Sequence, residues 1–152
     1  MHPLIVSEKT RDAIERQLLL VYLGRTHRSS AVHDAVVRDV AGVGAAHPVI
    51  AELRAVAMRA RDAVMSDDLE ALGQAMRANT AAQRRLHDTL VGQDAERVIA
   101  IARARGAIGW KVNGAGGEGG SVTLLCGRDP EGRQAIEAAI ENEGAGYRVM
   151  PF

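Results

Sequence analysis

The stretch Ala107-Ile-Gly-Trp-Lys-Val-Asn-Gly-Ala-Gly-Gly-Glu-Gly-Gly-Ser-Val-Thr-Leu-Leu-Cys126 decides the fold. From Ala107 to Val112, Ile108, Trp110 and Val112 fall on one side, while Gly109 and Lys111 fall on the other. That is the period of two expected of a strand. Ser121 to Cys126 is a second run rich in β-formers. Between them, Asn113 to Gly120 holds five glycines: Gly114, Gly116, Gly117, Gly119 and Gly120. A hairpin ordinarily needs one or two, often as Asn-Gly, and ordering each costs roughly 0.5–1 kcal/mol more than ordering alanine. The excess points to a group that approaches the backbone closely, or to several amides turned together toward an anion. Composition alone also leaves open a plain flexible hairpin tip. Gly114-x-Gly116-x-x-Gly119 has the dinucleotide-fingerprint spacing, but a strand follows it where that motif requires a helix.

Working outward, Leu18 to Leu23 is a continuous apolar run ended by Gly24, the pattern of a strand buried on both faces. Before it, Ser7 is placed to cap a helix reaching about Gln17, with Glu8 at its positive end. Arg25 to Arg28 form a basic turn, and Ser29 or Ser30 caps a helix through about Val40. Ala41 to His47 is a loop, and Pro48 suits the first turn of the next helix, whose stripe is Ile50, Leu53, Ala57, Ala60 and Val64. Ser66 is expected to cap a further helix, with Asp67 and Asp68 complementing its dipole. One side of that helix runs Leu69, Leu72, Met76, Thr80 and Gln83, and it turns polar around Asn79 to Gln83, which is unusual for a core face. A helix over about Asp94 to Arg105 ends at Gly106. After the hairpin, Asp129 and Pro130 start a last helix that buries Ala135, Ile136, Ala139 and Ile140 and stops at Gly144. Tyr147 to Met150 closes the chain as a strand.

The order strand, helices, strand, strand, helix, strand predicts an α+β fold, a ferredoxin-like split βαβ sheet with extra helices in the first crossover. Right-handed crossovers would put the helices on one face of a four-stranded, mainly antiparallel sheet. Residues 1–17 read as a helical lead-in and residues 18–152 as the domain proper, a single domain overall.

Of the 152 residues, 47% are hydrophobic and only 3% aromatic, so the core must be built from Ala, Val, Leu and Ile. Nineteen basic residues balance nineteen acidic ones, which argues against a general nucleic-acid binder, since such a protein needs a basic excess. The single cysteine, Cys126, excludes an internal disulfide framework and fits a reducing cytoplasm. No apolar run approaches the roughly 18 residues of a membrane span, and Met1-His2-Pro3 does not open a signal peptide.

Gly109-Trp-Lys-Val-Asn-Gly-Ala-Gly-Gly-Glu-Gly-Gly120 resembles the third signature motif of GHMP kinases, typically Lys-hydrophobic-Thr-Gly-Ala-Gly followed by further glycines. Leu20-Val-Tyr-Leu-Gly-Arg-Thr-His-Arg-Ser-Ser30 looks like the strand-turn-helix segment of that family's sugar-kinase branch, related to heptose-phosphate, fucose and galactokinase-like kinases. Leu72 to Leu86, with Met76 and Asn79, looks like the long helix before the motif. The resemblance spans about Leu18 to the C-terminus and implies the C-terminal domain of such a kinase. Asn113 stands where Thr is commoner. Glu118 puts a carboxylate inside the glycine run, which argues against phosphate contact by the later glycines. The family's Pro-x-x-x-Gly-Leu-x-Ser-Ser phosphate loop and its catalytic aspartate belong to the N-terminal domain. Neither is found here, nor is a Walker A, His-Arg-Asp or Asp-Phe-Gly motif. Ser29-Ser30 lacks the Gly-Leu context of that loop. The resemblance therefore implies a lid or substrate domain that needs an N-terminal GHMP domain as partner, with ATP and Mg2+ used by the complete enzyme. The acceptor would be a sugar or sugar phosphate, and no residue here would be catalytic.

The candidate binding residues are Lys111, Asn113, Gly114, Ala115, Gly116 and Gly117 from the loop, with Arg25, Arg28 and Ser29. The last three, with His27 and Ser30, could hold an anion at a helix start; the competing reading is a solvated, capped turn. Lys111 is either at the site edge or an ordinary strand lysine. His2, His27, His33, His47 and His87 show no metal-ligand spacing and read as surface or capping residues. Cys126 reads as an inert core thiol. Asp34, Asp39, Arg84 and Arg85 read as a solvated helix face. A non-catalytic anion-sensing domain is the alternative function. Self-association through the face that would otherwise meet the N-terminal partner is a further expectation.

Overall fold

The computed structural model describes residues 4–25, 34, 36–38, 40–114 and 119–150. Its elements are α1 (Glu8–Gln17), β1 (Leu18–Tyr22), α2 (Pro48–Met65), α3 (Leu69–Leu86), α4 (Gln93–Ala104), β2 (Gly109–Val112), β3 (Ser121–Leu125), α5 (Pro130–Glu141) and β4 (Arg148–Met150). Short 3-10 turns occupy Gly44–Ala46 and Asp88–Leu90. Positions 34, 36–38 and 40 are helical, and the remainder of the helix expected from Ser29 or Ser30 lies outside the described residues.

The four strands form one antiparallel sheet in the order β2-β3-β1-β4, so the fold is α+β. The core sits on one face of it, where Leu19, Val21, Val112, Val122 and Leu124 meet Ala95, Val98, Ile99 and Ala102 of α4 and Ile136 and Ile140 of α5. Burying each large aliphatic side chain stabilises by about 1.5–3 kcal/mol. The small side chains of α4 and α5 let both helices lie close to the sheet, as the aromatic-poor composition requires.

Ser7 caps α1 by accepting from the Thr10 amide at 3.1 Å, and Asp129 caps α5 through the Glu131 and Gly132 amides. His47 and His87 are capping residues, accepting from the amides of Val49 and Thr89. The start of α3 differs from the expectation. Asp68, not Ser66, is its cap, accepting from the Ala71 amide at 2.9 Å. The Ser66 hydroxyl instead donates to the Asp62 carbonyl and finishes α2. Asp67, with φ +59°, makes the turn between the helices, and its carboxylate accepts from the hydroxyls of Ser7 and Thr10, tying α1 to that turn. Those two hydrogen bonds hold the Asp67 carboxyl below the usual carboxylate range.

The polar stripe of α3 has a structural reason. The helix lies along the outer edge of β2, where strand groups have no neighbouring strand to bond. Arg77 donates to the Ile108 carbonyl, with its guanidinium 5.7 Å from the centre of the Trp110 ring. The fully buried Thr80 hydroxyl donates to the Trp110 carbonyl at 3.2 Å and accepts a long contact from the Val112 amide at 3.4 Å. Close approach requires two glycines: a Cβ on Gly73 would stand 2.6 Å from the Ile108 carbonyl oxygen, and one on Gly109 would stand 2.6 Å from the Gly73 Cα.

Thr80→Val keeps the side-chain shape but removes the hydroxyl, leaving strand groups buried without a partner. It should destabilise the chain by about 1–3 kcal/mol in urea unfolding, and Thr80→Ser should cost less. Equal costs for the two would show that the hydroxyl does not matter.

Candidate ligand-binding site at the glycine loop

Each end of the glycine loop is fastened to a different part of the chain. At its entry, the Asn113 amide N–H donates to the Ser121 carbonyl at 3.0 Å. The Asn113 side chain donates from Nδ2 to Ser121 Oγ (3.1 Å) and Thr123 Oγ1 (2.9 Å), and its Oδ1 lies 3.2 Å from the same Thr123 hydroxyl. Both ends of that side chain are therefore engaged within the hairpin. Gly114, at φ +65°, offers its carbonyl to Gln83 Nε2 at 3.2 Å. Gln83 is only 8% exposed, and its Oε1 is buried without a partner.

At the exit, the Gly120 amide donates to the Arg25 carbonyl at 3.2 Å, and the Leu23 amide donates to the Gly120 carbonyl at 2.9 Å. Gly119 lies at φ +137°, and a Cβ there would stand 2.4 Å from the Arg25 carbonyl oxygen. Arg25, 94 positions earlier in the chain, is thereby held against the loop.

Lys111 lies on the sheet face opposite the core, paired across strands with Thr123. Its Nζ donates to the Val112 carbonyl at 3.2 Å, and burial pushes its pKa below the ordinary lysine value. The register sets two rows on this face. One runs Arg148, Tyr22, Ser121, and the other Met150, Leu20, Thr123, Lys111. A cavity of about 430 Å³ stands over Leu20, Tyr22, Ser121, Arg148 and Met150.

Of the residues expected at the site, Lys111, Asn113, Gly114 and Arg25 are gathered at one end of the sheet. Ala115, Gly116, Gly117, Arg28 and Ser29 lie outside the described residues, as do His27, Ser30 and Glu118. Sequence reasoning missed Gln83, Tyr22 and Arg148. The polar turn of the α3 stripe was the signal for Gln83, whereas Tyr22 and Arg148 become neighbours only through strand register.

Arg148 borders the cavity over Leu20, Tyr22 and Met150, whereas Arg25 meets the glycine loop through its backbone and Lys111 lies beside Thr123 on the same face. Among the described residues no group of three or more His, Cys, Asp or Glu side chains could hold a metal ion. Burial pushes the Cys126 thiol up to about 11, so it is protonated and unreactive at neutral pH.

Gly119→Ala should destabilise by about 2 kcal/mol or more, through its clash with Arg25 and its backbone angle. Gly144→Ala, at φ +73° but in open space, should cost about 1 kcal/mol. Equal losses in urea unfolding would mean that Gly119 is not held against Arg25. Lys111 gives a pH test. Its folded pKa lies below the ordinary lysine value of 10.5, so the folded chain binds fewer protons and stability rises with pH across that interval. Lys111→Met should therefore raise the urea midpoint at pH 7, and the gain should shrink as pH approaches 10.5. A gain that is the same at every pH would contradict burial of the charge as its source.

No family profile and no curated protein matches the chain. Solved structures do. Mevalonate kinase of L. major, in complex with R-mevalonate, superposes with a TM-score of 0.75 at 23% identity, over 99% of this chain and 45% of that one. The Methanococcus jannaschii mevalonate kinase gives 0.60 at 18% identity, over 95% and 42%. A D-glycero-D-manno-heptose 1-phosphate kinase from Bacteriodes thetaiotaomicron gives 0.61 at 15% identity, over 99% and 37%. This chain thus spans less than half the length of each. Its fold is shared with part of each of these kinases.

Proposed function

We propose that the chain is the substrate-side or lid domain of an ATP-dependent GHMP-type kinase for a small molecule, a sugar or sugar phosphate. An N-terminal domain would supply the phosphate loop and catalytic aspartate. The observation that carries this reading is the fastening of the glycine loop at both ends, at Gly114 by Gln83 and at Gly120 by Arg25, in a chain with a fold shared with such kinases. Phosphoryl transfer depends on positioning and charge neutralisation. Amides already in position stabilise developing charge without reorganisation, and fixed loop ends would favour that. Arg25 and Lys111 would neutralise charge on the phosphate or on the acceptor.

The strand order, with β3 between β1 and β2, supports the ferredoxin-like split βαβ description. A cytoplasmic setting fits the single reduced, buried Cys126. ATP and Mg2+ would be bound mainly by the partner domain, because Mg2+ is usually held through nucleotide phosphates and one or two carboxylates.

Mixing the chain with a matching N-terminal GHMP domain, ATP, Mg2+ and a panel of sugars and sugar phosphates should release ADP well above the sum of the two halves. No gain over either half alone would overturn the kinase assignment. Tight ATP or sugar-phosphate binding by this chain alone, without that gain, would favour an anion-sensing domain.

A further inference from the structure

The first helix, α1, is joined to the rest of the fold by polar contacts at its two ends. Of its ten residues only Ala13 and Ile14 are apolar, and both are half-buried. The residues it buries are Thr10 and Gln17, both polar. None of its residues belongs to the aliphatic core cluster, and among the described residues no element packs along its length. Burial of apolar surface therefore contributes little to holding it in place.

At the N-terminal end the anchor is Asp67, whose Oδ1 accepts from the Ser7 hydroxyl at 2.6 Å and from the Thr10 hydroxyl. Asp67 makes the left-handed turn between α2 and α3, one residue before the Asp68 cap of α3. At the C-terminal end Arg133 of α5 donates to the carbonyls of Glu15 and Arg16, at 3.4 and 2.7 Å. The Cys126 amide donates to the Gln17 carbonyl at 2.8 Å. That end also runs straight into β1 at Leu18, so the N-terminal end is the one able to leave. Gln17 stands at the pivot with its Oε1 buried and without a donor, a cost borne by the docked form.

We propose that α1 is a strap that undocks as a unit, by release of its hydroxyls from Asp67, while the sheet and core stay folded. Hydrogen bonds to a carboxylate are roughly twice as strong as neutral ones, so two of them on one oxygen make a latch for a helix with almost no apolar anchor. Segments with few buried apolar contacts open at the low-stability end of a fold. The strap bears on the start of α3, the helix that covers β2 and holds the Gly114 carbonyl through Gln83. Docking of α1 thus braces the α2–α3 turn from outside the core.

Native-state hydrogen exchange tests this by comparing the α1 amides, Arg11 to Arg16, with the Leu124 amide of β3. In the unaltered chain the α1 amides should exchange at least about tenfold faster than Leu124. Asp67→Gly suits the left-handed turn, which docked and undocked forms share, and removes only the carboxylate. Thr10→Val removes one donor at nearly constant shape. Each should speed α1 exchange by about tenfold. Ile136→Val trims the core, which both forms also share. It should speed Leu124 several-fold and leave the α1 amides unchanged. Exchange of α1 at the Leu124 rate, or α1 speeding in step with Leu124 in Ile136→Val, would overturn the strap by making α1 part of one cooperative unit. Unchanged α1 exchange in both Asp67→Gly and Thr10→Val would overturn the latch.

Discussion

The cover that α3 gives to the outer edge of β2 is the constraint on which the rest of the structure depends. An uncovered edge strand presents a row of unpaired donors and acceptors, and β2 leads directly into the glycine loop. Arg77 and Thr80 satisfy that edge with side chains, and Gly73 against Gly109 lets the two backbones approach closely enough for them to reach. The same helix face continues to Gln83, which holds the Gly114 carbonyl. One stripe of a single helix thus completes the sheet and places the start of the loop.

The helix is in turn held from two sides. Arg84 makes a paired hydrogen bond to Glu96 of α4, at 2.6 and 2.9 Å, and Arg85 reaches Glu52 of α2. These are part-exposed ion pairs, each worth at most about 1 kcal/mol, so they tune orientation more than stability. Larger contributions come from the aliphatic core on the other face of the sheet, which keeps β1 and β3 in register. That register brings Leu23 and Arg25 to the exit of the loop. Entry and exit of the loop are therefore fixed by separate parts of the fold.

Much of the fold was legible because its signals are local. The Ser7 and Asp129 caps, the apolar run of β1, the alternation in β2 and the aromatic-poor core all follow from residues close together in the chain. The cap of α3 was misplaced because Ser66 and Asp68 both suit that role, and the choice is made by the left-handed turn at Asp67. The polar side of α3 was visible as an oddity, but its partners are the edge groups of a strand about 30 positions away. The closeness of Arg25 to Gly119, and the row Arg148, Tyr22 and Ser121, exist only once three strands are in register. Long-range pairing of this kind leaves no periodic trace in the chain.

Amide hydrogen exchange at Val112 tests the central claim most directly. Its N–H points out of the sheet toward Thr80, where an uncovered edge strand would exchange freely. With α3 as the cover, this amide should be protected to within about tenfold of the Leu124 amide in the middle of β3. Exchange of Val112 at the rate of an unprotected amide, with Leu124 still protected, would show that α3 does not seal the edge.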